Sequence, residues 1–311
     1  MYKEIAKKIR QYDSIVIFRH QRPDMDALGS QIGLKHLICQ NYKGIRAYAV
    51  GDINKFNFIG DMDVVSDEII QKSLAIIVDV AVQALVSDNR YQMAKEIIVI
   101  DHHKNDCDII NAKAYVDTNA AAACQMITQF AIENKLKLTP ESATPLYGGI
   151  VTDSGRFMFS LNKNLFDTAG VLIQNGANAK WLYQKLYTET LQEKKMKAYF
   201  TNKFEVNSAG VAYLMNDKDV FDLFDVDVFS ISRGMVGVMS NIEGIEIWAN
   251  FTYDISTGHV LGEFRSKNIE IVSIAKKHGG GGHSLACGAT LKDFNEAKQV
   301  IEEFSELLKG A

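Results

Sequence analysis

The feature that most constrains this chain is an apolar run at residues 96–100 that ends in Asp101-His102-His103. The run is rich in Ile and Val, which is typical of a strand buried on both faces of a parallel sheet. Side chains at the carboxyl end of such a strand open into the crevice where α/β sheets bind ligands. A carboxylate and two imidazoles are costly to bury there without a partner. Both groups ligate divalent metals, so we predict a metal site at this strand end.

Other elements of the first half also end in acids or histidines. Two further apolar runs, at residues 14–18 and 74–78, have the character of parallel strands, and a helical stretch ends in a turn near residue 153. An isolated His-His pair is most often part of a solvated loop, and a single Asp is often only a helix cap. Repetition at successive element ends favours a shared site instead. The residues at these ends are His20, Asp24, Asp26, Asp79 and Asp153.

The alternation of strands with helical segments predicts an α/β domain, a parallel sheet with helices on both faces. We expect the helix after the first strand to begin at Asp26 or Ser30. The second half changes character: short, partly alternating strands at 206–215, 237–240, 246–253 and 259–265, separated by glycine turns, predict a smaller α+β domain. We therefore place a first domain at 1–187, a charged helical linker at 188–203 and a second domain at 204–311.

Composition excludes several classes of protein. With 47% apolar and 23% charged residues in 311, the chain has an ordinary globular composition. No apolar stretch approaches the ~18 residues of a membrane helix, and the start lacks an apolar signal core, so we expect no membrane contact. Four cysteines lie far apart without a Cys-x-x-Cys pair, which favours a reducing cytoplasm. The formal net charge of −4 argues against binding long nucleic acids.

The sharpest feature of the second half is four consecutive glycines, residues 279–282, followed by His283. Such a run costs chain entropy, which a backbone that must approach a ligand closely can justify. Its N–H groups could then bind an anion. A flexible loop is the alternative. Because Arg265, Ser266 and His283 add polar side chains, we favour a phosphate site.

The candidate ligands exceed what one ion needs. Mixed carboxylates and imidazoles in this number suit two hard divalent cations bridged by a carboxylate, ~3.5–4 Å apart. Such a pair holds a phosphoryl oxygen and generates hydroxide, which predicts metal-assisted hydrolysis of a phosphoester. His103 is then available to donate to the leaving oxygen. The candidate ligands are His20, Asp24, Asp26, Asp79, His102 and Asp153.

These residues resemble the motifs of the DHH phosphoesterase superfamily over essentially the whole chain. His20-x3-Asp24-x-Asp26 looks like the first motif, Asp79 the second, Asp101-His102-His103 the third and Asp153 part of the fourth. Residues 279–283 look like the glycine-rich signature of the DHH-associated C-terminal domain. The length and the pair Arg265-Ser266 are most similar to the bacterial nano-RNase and pAp-phosphatase branch. Those enzymes degrade very short oligonucleotides and dephosphorylate adenosine 3′,5′-bisphosphate (pAp), usually with manganese.

The resemblance implies a role for each candidate. His20 and Asp24 would bind one metal, Asp26, His102 and Asp153 the other, and Asp79 both. Asp101 would orient a ligand, and His103 would face the scissile phosphate. Arg265, Ser266, Gly280, Gly281, Gly282 and His283 would bind the distal nucleotide or terminal phosphate. The implied partners are short oligonucleotides and nucleotide bisphosphates, with a homodimer as one option for the assembly.

Three positions depart from this branch. Val80 stands where Thr is common, residues 121–125 replace a segment usually richer in Ser and ending in Glu, and Cys287 stands where Ser or Ala is common. We expect none of these to contact a proposed ligand. Other functions left open are a phosphodiesterase for cyclic dinucleotides or pApA, an inorganic pyrophosphatase and, outside catalysis, a nucleotide sensor.

Overall fold

The computed structural model describes residues 1–52, 56–104 and 106–310. The chain divides into two compact units, Met1–Thr188 and Glu189–Ala311. Within the described residues no helix is both long and apolar enough to cross a membrane.

The first unit is built around a parallel sheet in the order β2-β1-β3-β4-β5. Neighbouring strands are parallel throughout, with Ile17 beside Ile76 and Val78 beside Ile100. The strands are β1 Ser14–Phe18, β2 Arg46–Ala49, β3 Leu74–Val78, β4 Glu96–Asp101 and β5 Ala112–Val116. The helices are α1 Tyr2–Ile9, α2 Met25–Asn41, α3 Asp67–Lys72, α4 Ala123–Glu133, α5 Pro140–Asp153, α6 Lys163–Gln174 and α7 Ala179–Tyr187.

Both faces of this sheet are covered, as the apolar runs predict. In β1, Ile15 and Ile17 pack with the helices on one face, while Val16 and Phe18 pack into a second core on the other. Strands of this kind are apolar at every position because neither face meets water. The predicted parallel sheet with helices on both faces is therefore confirmed.

The strand order creates a switch point between β1 and β3. The chain leaves β1 toward β2 on one side, and from β3 it proceeds through β4 to β5 on the other. In sheets of this order, the connections after the two central strands separate and leave a crevice at their carboxyl ends. The residues that follow β1, β3 and β4 are those with which the candidate site begins.

Helix α2 is the buried centre of the unit, with most of its first three turns inaccessible to solvent. It begins after Asp24, whose carboxylate accepts hydrogen bonds from the N–H groups of Asp26 and Ala27, both at 3.0 Å. The expected start at Asp26 or Ser30 was therefore wrong by a few residues. Asp24 satisfies the free N–H groups of the first turn better because it precedes them.

The second unit has a six-stranded sheet in the order β10-β11-β9-β8-β7-β6. It is antiparallel except between β7 and β8. Its strands are β6 Glu205–Val206, β7 Val211–Asn216, β8 Ile247–Asp254, β9 His259–Ser266, β10 Gly281–Gly282 and β11 Ala286–Leu291. Its helices are α8 Leu191–Lys203, α9 Val220–Leu223, α10 Val228–Met235, α11 Val272–Lys277 and α12 Phe294–Gly310.

Helix α8 lies within the predicted linker 188–203. Its Met196 and Phe200 are buried against Trp248 and helix α10 in one core of the second unit. A second core, on the other face, contains Phe264 and α12. The helix is therefore part of the packing of the second unit rather than only a connector.

One expected strand of the second unit was wrong. Residues 237–240 are not a strand: Val236–Met239 is a turn of 3-10 helix, and Val236 and Met239 face the core with a spacing of three. Helices α10, α11 and α12 were not predicted. The spacing of Ala297, Val300, Ile301 and Phe304 is nevertheless that of an amphipathic helix, so the signal for α12 was present in the sequence.

Candidate metal centre

The first unit brings together all six candidate ligands at the carboxyl edge of its sheet. The structure groups their ligand atoms in three overlapping sets within 4.8 Å: His20, Asp24 and Asp79; Asp26, His102 and Asp153; and Asp79, His102 and His103. The first two sets coincide with the division between two metals that the sequence suggested. The ligand roles themselves are taken up below as a proposal.

Asp79 belongs to the first set and also lies close to His102 of the second set. It follows β3 and has a left-handed backbone with φ of 59°, a conformation uncommon for a residue other than glycine. Its Oδ2 lies 3.6 Å from Nε2 of His20, and its Oδ1 lies 3.4 Å from Nε2 of His102. One carboxylate therefore presents a different oxygen to each set.

His20 and Asp24 form the outer side of the site. Nε2 of His20 lies 3.8 Å from Oδ1 of Asp24. The backbone that carries His20 is fixed by Arg19, which is fully buried and donates from Nη1 to the His20 carbonyl oxygen at 3.0 Å. Arg19 also pairs with Asp52 at 2.9 Å. Sequence reasoning missed Arg19, although a charged residue that closes an apolar strand could have indicated it.

Asp26 is fully buried, and two backbone N–H groups hold its carboxylate. Ala123 donates to Oδ2 at 2.6 Å and Cys124 to Oδ1 at 2.9 Å, both from the first turn of α4. The expectation that residues 121–125 contact no proposed ligand was therefore wrong. A helix N-terminus stabilises a carboxylate because its first N–H groups have no partners within the helix.

Glycines allow the helices to approach closely enough for this contact. A Cβ built at Gly149 of α5 would lie 2.6 Å from Oδ1 of Asp26 and 2.3 Å from Sγ of Cys124. A Cβ at Gly29 of α2 would lie 2.4 Å from the carbonyl oxygen of Pro145. Only glycine fits at these two positions without moving the backbone, so they set the distance between Asp26 and the end of α5.

His102 and Asp153 complete the inner set. Nε2 of His102 lies 3.3 Å from Oδ2 of Asp153 and 3.7 Å from Oδ2 of Asp26. The other ring nitrogen, Nδ1, is 3.3 Å from the carbonyl oxygen of Ala120. A proton on Nδ1 would donate to that oxygen and leave the lone pair of Nε2 for a metal, the arrangement found for most metal-binding histidines.

Asp101 contacts His103 rather than one of the six candidate ligands' side chains. Its Oδ1 accepts from Nδ1 of His103 at 2.7 Å and from the N–H of His102 at 2.9 Å. Asp101 is fully buried, while His103 is partly exposed. The carboxylate therefore fixes the orientation of the His103 ring and the backbone that carries His102.

Burial and the charges of the cluster raise the pKa values of Asp26, His20 and His102. Burial, with the neighbouring Asp79 and Asp153, raises the pKa of Asp26 well above its ordinary range. Burial alone lowers the pKa of an imidazole, but Asp24 and Asp79 outweigh it and raise the pKa of His20 to about 10. In the same way, Asp153 and Asp79 raise the pKa of His102 to about 11. The negative charge of the carboxylates therefore dominates.

The unsatisfied atoms of this cluster fit a metal. Oδ1 of Asp79 and Nε2 of His102 are buried and have no hydrogen-bond partner among the described residues. Such atoms are costly to bury unless they bind something. Both are acceptors when the imidazole is neutral, and they lie among further carboxylate oxygens. Carboxylates with imidazoles are a donor set for borderline and hard divalent cations.

In the second unit, the predicted substrate residues lie at the end of β9 and in and around β10. Arg265 is partly exposed; its Nη2 lies 3.2 Å from Oε2 of Glu263, and its Nη1 donates to the carbonyl oxygen of Phe264 at 2.8 Å. Ser266 is buried and donates to the carbonyl oxygen of Ile269. The backbone N–H of His283 donates to Ala286 at 2.8 Å, and its side chain is exposed.

Two of the four glycines have a reason within the fold. A Cβ built at Gly280 would lie 2.0 Å from the carbonyl oxygen of Gly288, and one at Gly282 would lie 2.7 Å from Cα of Cys287. These two are needed for close packing against β11. Gly279 has a left-handed φ of 72° after α11, while a Cβ at Gly281 would meet nothing within 4 Å. Of the run, Gly281 is the position where only a ligand would require glycine.

Comparison with known proteins identifies two sequence families. Residues 14–150 match the family described as DHH family, N-terminal domain, and residues 228–310 match the DHHA1 domain. The chain is 34% identical to the probable bifunctional oligoribonuclease and PAP phosphatase NrnA of Streptococcus mutans, over 99% of each chain. It is 33% identical to the bifunctional oligoribonuclease and PAP phosphatase NrnA of Bacillus subtilis, again over 99% of each.

A solved structure shares the fold. The crystal structure of an exopolyphosphatase-related protein from Bacteroides fragilis superposes with a TM-score of 0.88. The alignment covers 99% of this chain and 97% of the other, at 20% sequence identity. At this identity, the likeness supports the arrangement of elements and carries no statement about substrate.

Proposed function

This chain belongs to the DHH family, and from that premise we propose a metal-dependent phosphoesterase acting on short nucleotides. It hydrolyses oligoribonucleotides of two to five residues to mononucleotides and removes the 3′-phosphate of pAp to give AMP. The full-length relatives named oligoribonuclease and PAP phosphatase support the substrates. The observation that carries the chemistry is Asp79, whose two oxygens lie 3.6 Å and 3.4 Å from imidazoles of two separate sets.

We propose two divalent cations, with manganese as the native metal. His20 and Asp24 would hold one, Asp26, His102 and Asp153 the other, and Asp79 both. When bound, such ions polarise a phosphoryl oxygen and supply a nucleophilic hydroxide at neutral pH. The donor set supports this proposal because the buried Oδ1 of Asp79 and Nε2 of His102 make no hydrogen bond within the described part of the chain.

The protein's own groups then orient and protonate. Asp26 is held by the N–H groups of Ala123 and Cys124, so its carboxylate is fixed before substrate binds. Asp101 accepts from Nδ1 of His103 and so orients the ring, which in this proposal donates to the phosphate or the leaving oxygen. These contacts support His103 as the donor of the proposed reaction.

Substrate binding by Arg265, Ser266, His283 and the glycines Gly280, Gly281 and Gly282 remains part of the proposal. The partly exposed guanidinium of Arg265 supports it, because guanidinium groups bind phosphate with paired hydrogen bonds. The fold gives Gly280 and Gly282 a packing role, so within the run the case for a ligand now rests on Gly281. Cytoplasmic location, a homodimer and the linker and domain boundaries remain predictions from the sequence.

A substrate panel tests the function. Purified protein with manganese is assayed against pAp, pApA, cyclic di-AMP, oligoribonucleotides from dimers to 24-mers, and pyrophosphate. We expect rapid turnover of pAp and of two- to five-residue RNA, with slow cleavage of 24-mers. Exclusive activity on cyclic di-AMP or pyrophosphate would replace the proposal with one of the alternatives. Tight nucleotide binding without hydrolysis of any substrate would indicate a sensor.

A further inference from the structure

A turn beside the candidate metal centre presents an exposed aromatic ring. Helix α5 ends at Asp153, and the chain turns through residues 154–159. Phe159 in this turn is 80% exposed, the most exposed aromatic side chain of the described residues. A soluble protein gains nothing in stability from an aromatic side chain left in water, so such a residue often marks a binding surface.

The ring lies against the backbone next to Asp153. A Cβ built at Gly155 would lie 2.3 Å from Cε2 of Phe159 and 2.4 Å from its Cδ2. The absence of a side chain at Gly155 therefore allows the ring to rest on this backbone. Gly155 is two residues from Asp153, so the ring rests on the turn that directly follows this candidate ligand.

The turn has a strained backbone, and a hydrogen bond stabilises its conformation. Gly155, Arg156 and Phe157 have φ of 57°, 61° and 66°, all left-handed. The N–H of Phe159 donates to the carbonyl oxygen of Ser154 at 3.0 Å. Consecutive left-handed residues other than glycine cost free energy and persist where the surroundings fix them, commonly at functional sites. The ring of Phe157 packs inward on Phe166 at 5.3 Å, whereas that of Phe159 points outward.

The chemistry of the surface selects its ligand. Residues 158–161 carry no charge, and Met158 and Leu161 are also exposed, at 53% and 74%. These side chains offer no charge to a phosphate and match the flat, uncharged face of a nucleobase, while Arg156 of the turn lies over the ring of Tyr187. We propose that Phe159 stacks on the base of the nucleoside whose phosphate occupies the metal centre. The inference rests on the proposed function and adds to it a base-binding subsite.

The test compares substrates with and without a base. KM and kcat are measured for pApA and for the same dinucleotide lacking both adenines, using wild-type protein and Phe159→Ala, Phe159→Leu and Phe159→Trp. Base stacking is worth roughly 1–3 kcal/mol, so we expect Phe159→Ala to raise KM for pApA about 5- to 150-fold. Phe159→Trp should retain the wild-type KM. Leu191→Ala is the control, since it removes a 72% exposed apolar side chain from the start of α8, outside the proposed surface.

The abasic substrate separates stacking from damage to the site. We expect its KM and kcat to be the same for wild type and Phe159→Ala. An equal loss on both substrates, or a Phe159→Leu enzyme that binds pApA as well as wild type, would overturn the stacking role.

A binding measurement decides the matter without turnover. Calorimetric titration should show that Phe159→Ala weakens AMP binding about 5- to 150-fold while leaving ribose 5-phosphate binding unchanged. If wild-type protein hydrolyses no nucleotide, the proposed function fails, yet this titration still tests stacking. Unchanged AMP affinity in Phe159→Ala would reject the subsite.

Discussion

Nδ1 of His103 lies 2.7 Å from Oδ1 of Asp101, a residue with no solvent exposure. The same oxygen accepts the N–H of His102 at 2.9 Å. One buried carboxylate therefore orients both histidines of the motif, and its contact raises the pKa of His103 above the ordinary imidazole range. Asp101 of the Asp-His-His motif thus positions the two residues that follow it.

We expect His103→Ala to retain its metals and to lose about 10²–10⁴ in kcat, the usual contribution of a general acid. Asp101→Asn should lose less, since its side chain keeps the shape and still offers an oxygen. Metal content by mass spectrometry and kcat on pAp would check both. Loss of metal in His103→Ala would make His103 a ligand and contradict the assignment.

Asp79→Asn should bind well below two manganese ions per chain and show no turnover. The amide keeps one oxygen but loses the charge that two cations would share. Asn tolerates the left-handed φ of 59° at this position, so the fold should survive, as circular dichroism would show. Asp61→Asn, an exposed acid outside the cluster, is the control. Two ions per chain in Asp79→Asn would refute the bridging role.

Metal binding should release protons. Without metal, the carboxylates hold the pKa of His20 at about 10 and that of His102 at about 11, so both rings are charged at pH 7.5. Because these values are raised, the charged rings stabilise the metal-free fold fully below about pH 6.5, and this is lost as pH rises through about 10. A metal requires neutral rings, so its affinity should fall with decreasing pH.

Calorimetric titration with manganese in two buffers of different ionisation enthalpy measures the release. We expect the observed enthalpies to differ by an amount equivalent to roughly one to two protons per chain. Activity should decline below about pH 6, where protons compete most strongly for the imidazoles. Identical enthalpies in the two buffers would show that the rings are already neutral.

Arg265→Ala should raise KM for pApA about 10- to 150-fold, the range of a lost hydrogen bond between charged groups, with little change in kcat. Arg233→Ala is a close control because Arg233 also pairs with Glu263, at 2.9 Å, and has a more exposed side chain. A small chromogenic phosphodiester should be cleaved equally by all three proteins. Equal effects of both substitutions would point to Glu263 and its ion pairs instead of a phosphate contact.

Much of the first unit could be predicted because its signals are local. The candidate ligands Asp79 and His102 come just after apolar runs. A few residues of sequence therefore indicate the strand, its carboxyl end and the candidate ligand together. The contact between Asp26 and the N–H of Cys124 joins residues 98 apart and involves the backbone. No side-chain pattern reports such a contact, which explains the wrong expectation for residues 121–125.

The glycine run shows a different limit. The sequence shows that the run costs chain entropy. Either a bound ligand or a neighbouring strand, however, can require a residue that lacks Cβ. The structure assigns Gly280 and Gly282 to packing against β11, and only the fold could separate them from Gly281. Helix α12, in contrast, had a readable period of apolar residues.

The main-chain amide groups at the start of α4 affect which substitutions this segment can accept. The carboxylate of Asp26 accepts hydrogen bonds from the main-chain N–H groups of Ala123 and Cys124. Every residue except proline has such an N–H group. Substitution can therefore alter the side chains of this segment, as Ala and Cys in place of a more Ser-rich stretch illustrate, without removing either donor. What selection must preserve there is the path of the backbone and the bare glycine at 149 that gives it room. Related sequences can thus differ in the residues of this segment while the carboxylate of Asp26 stays in place.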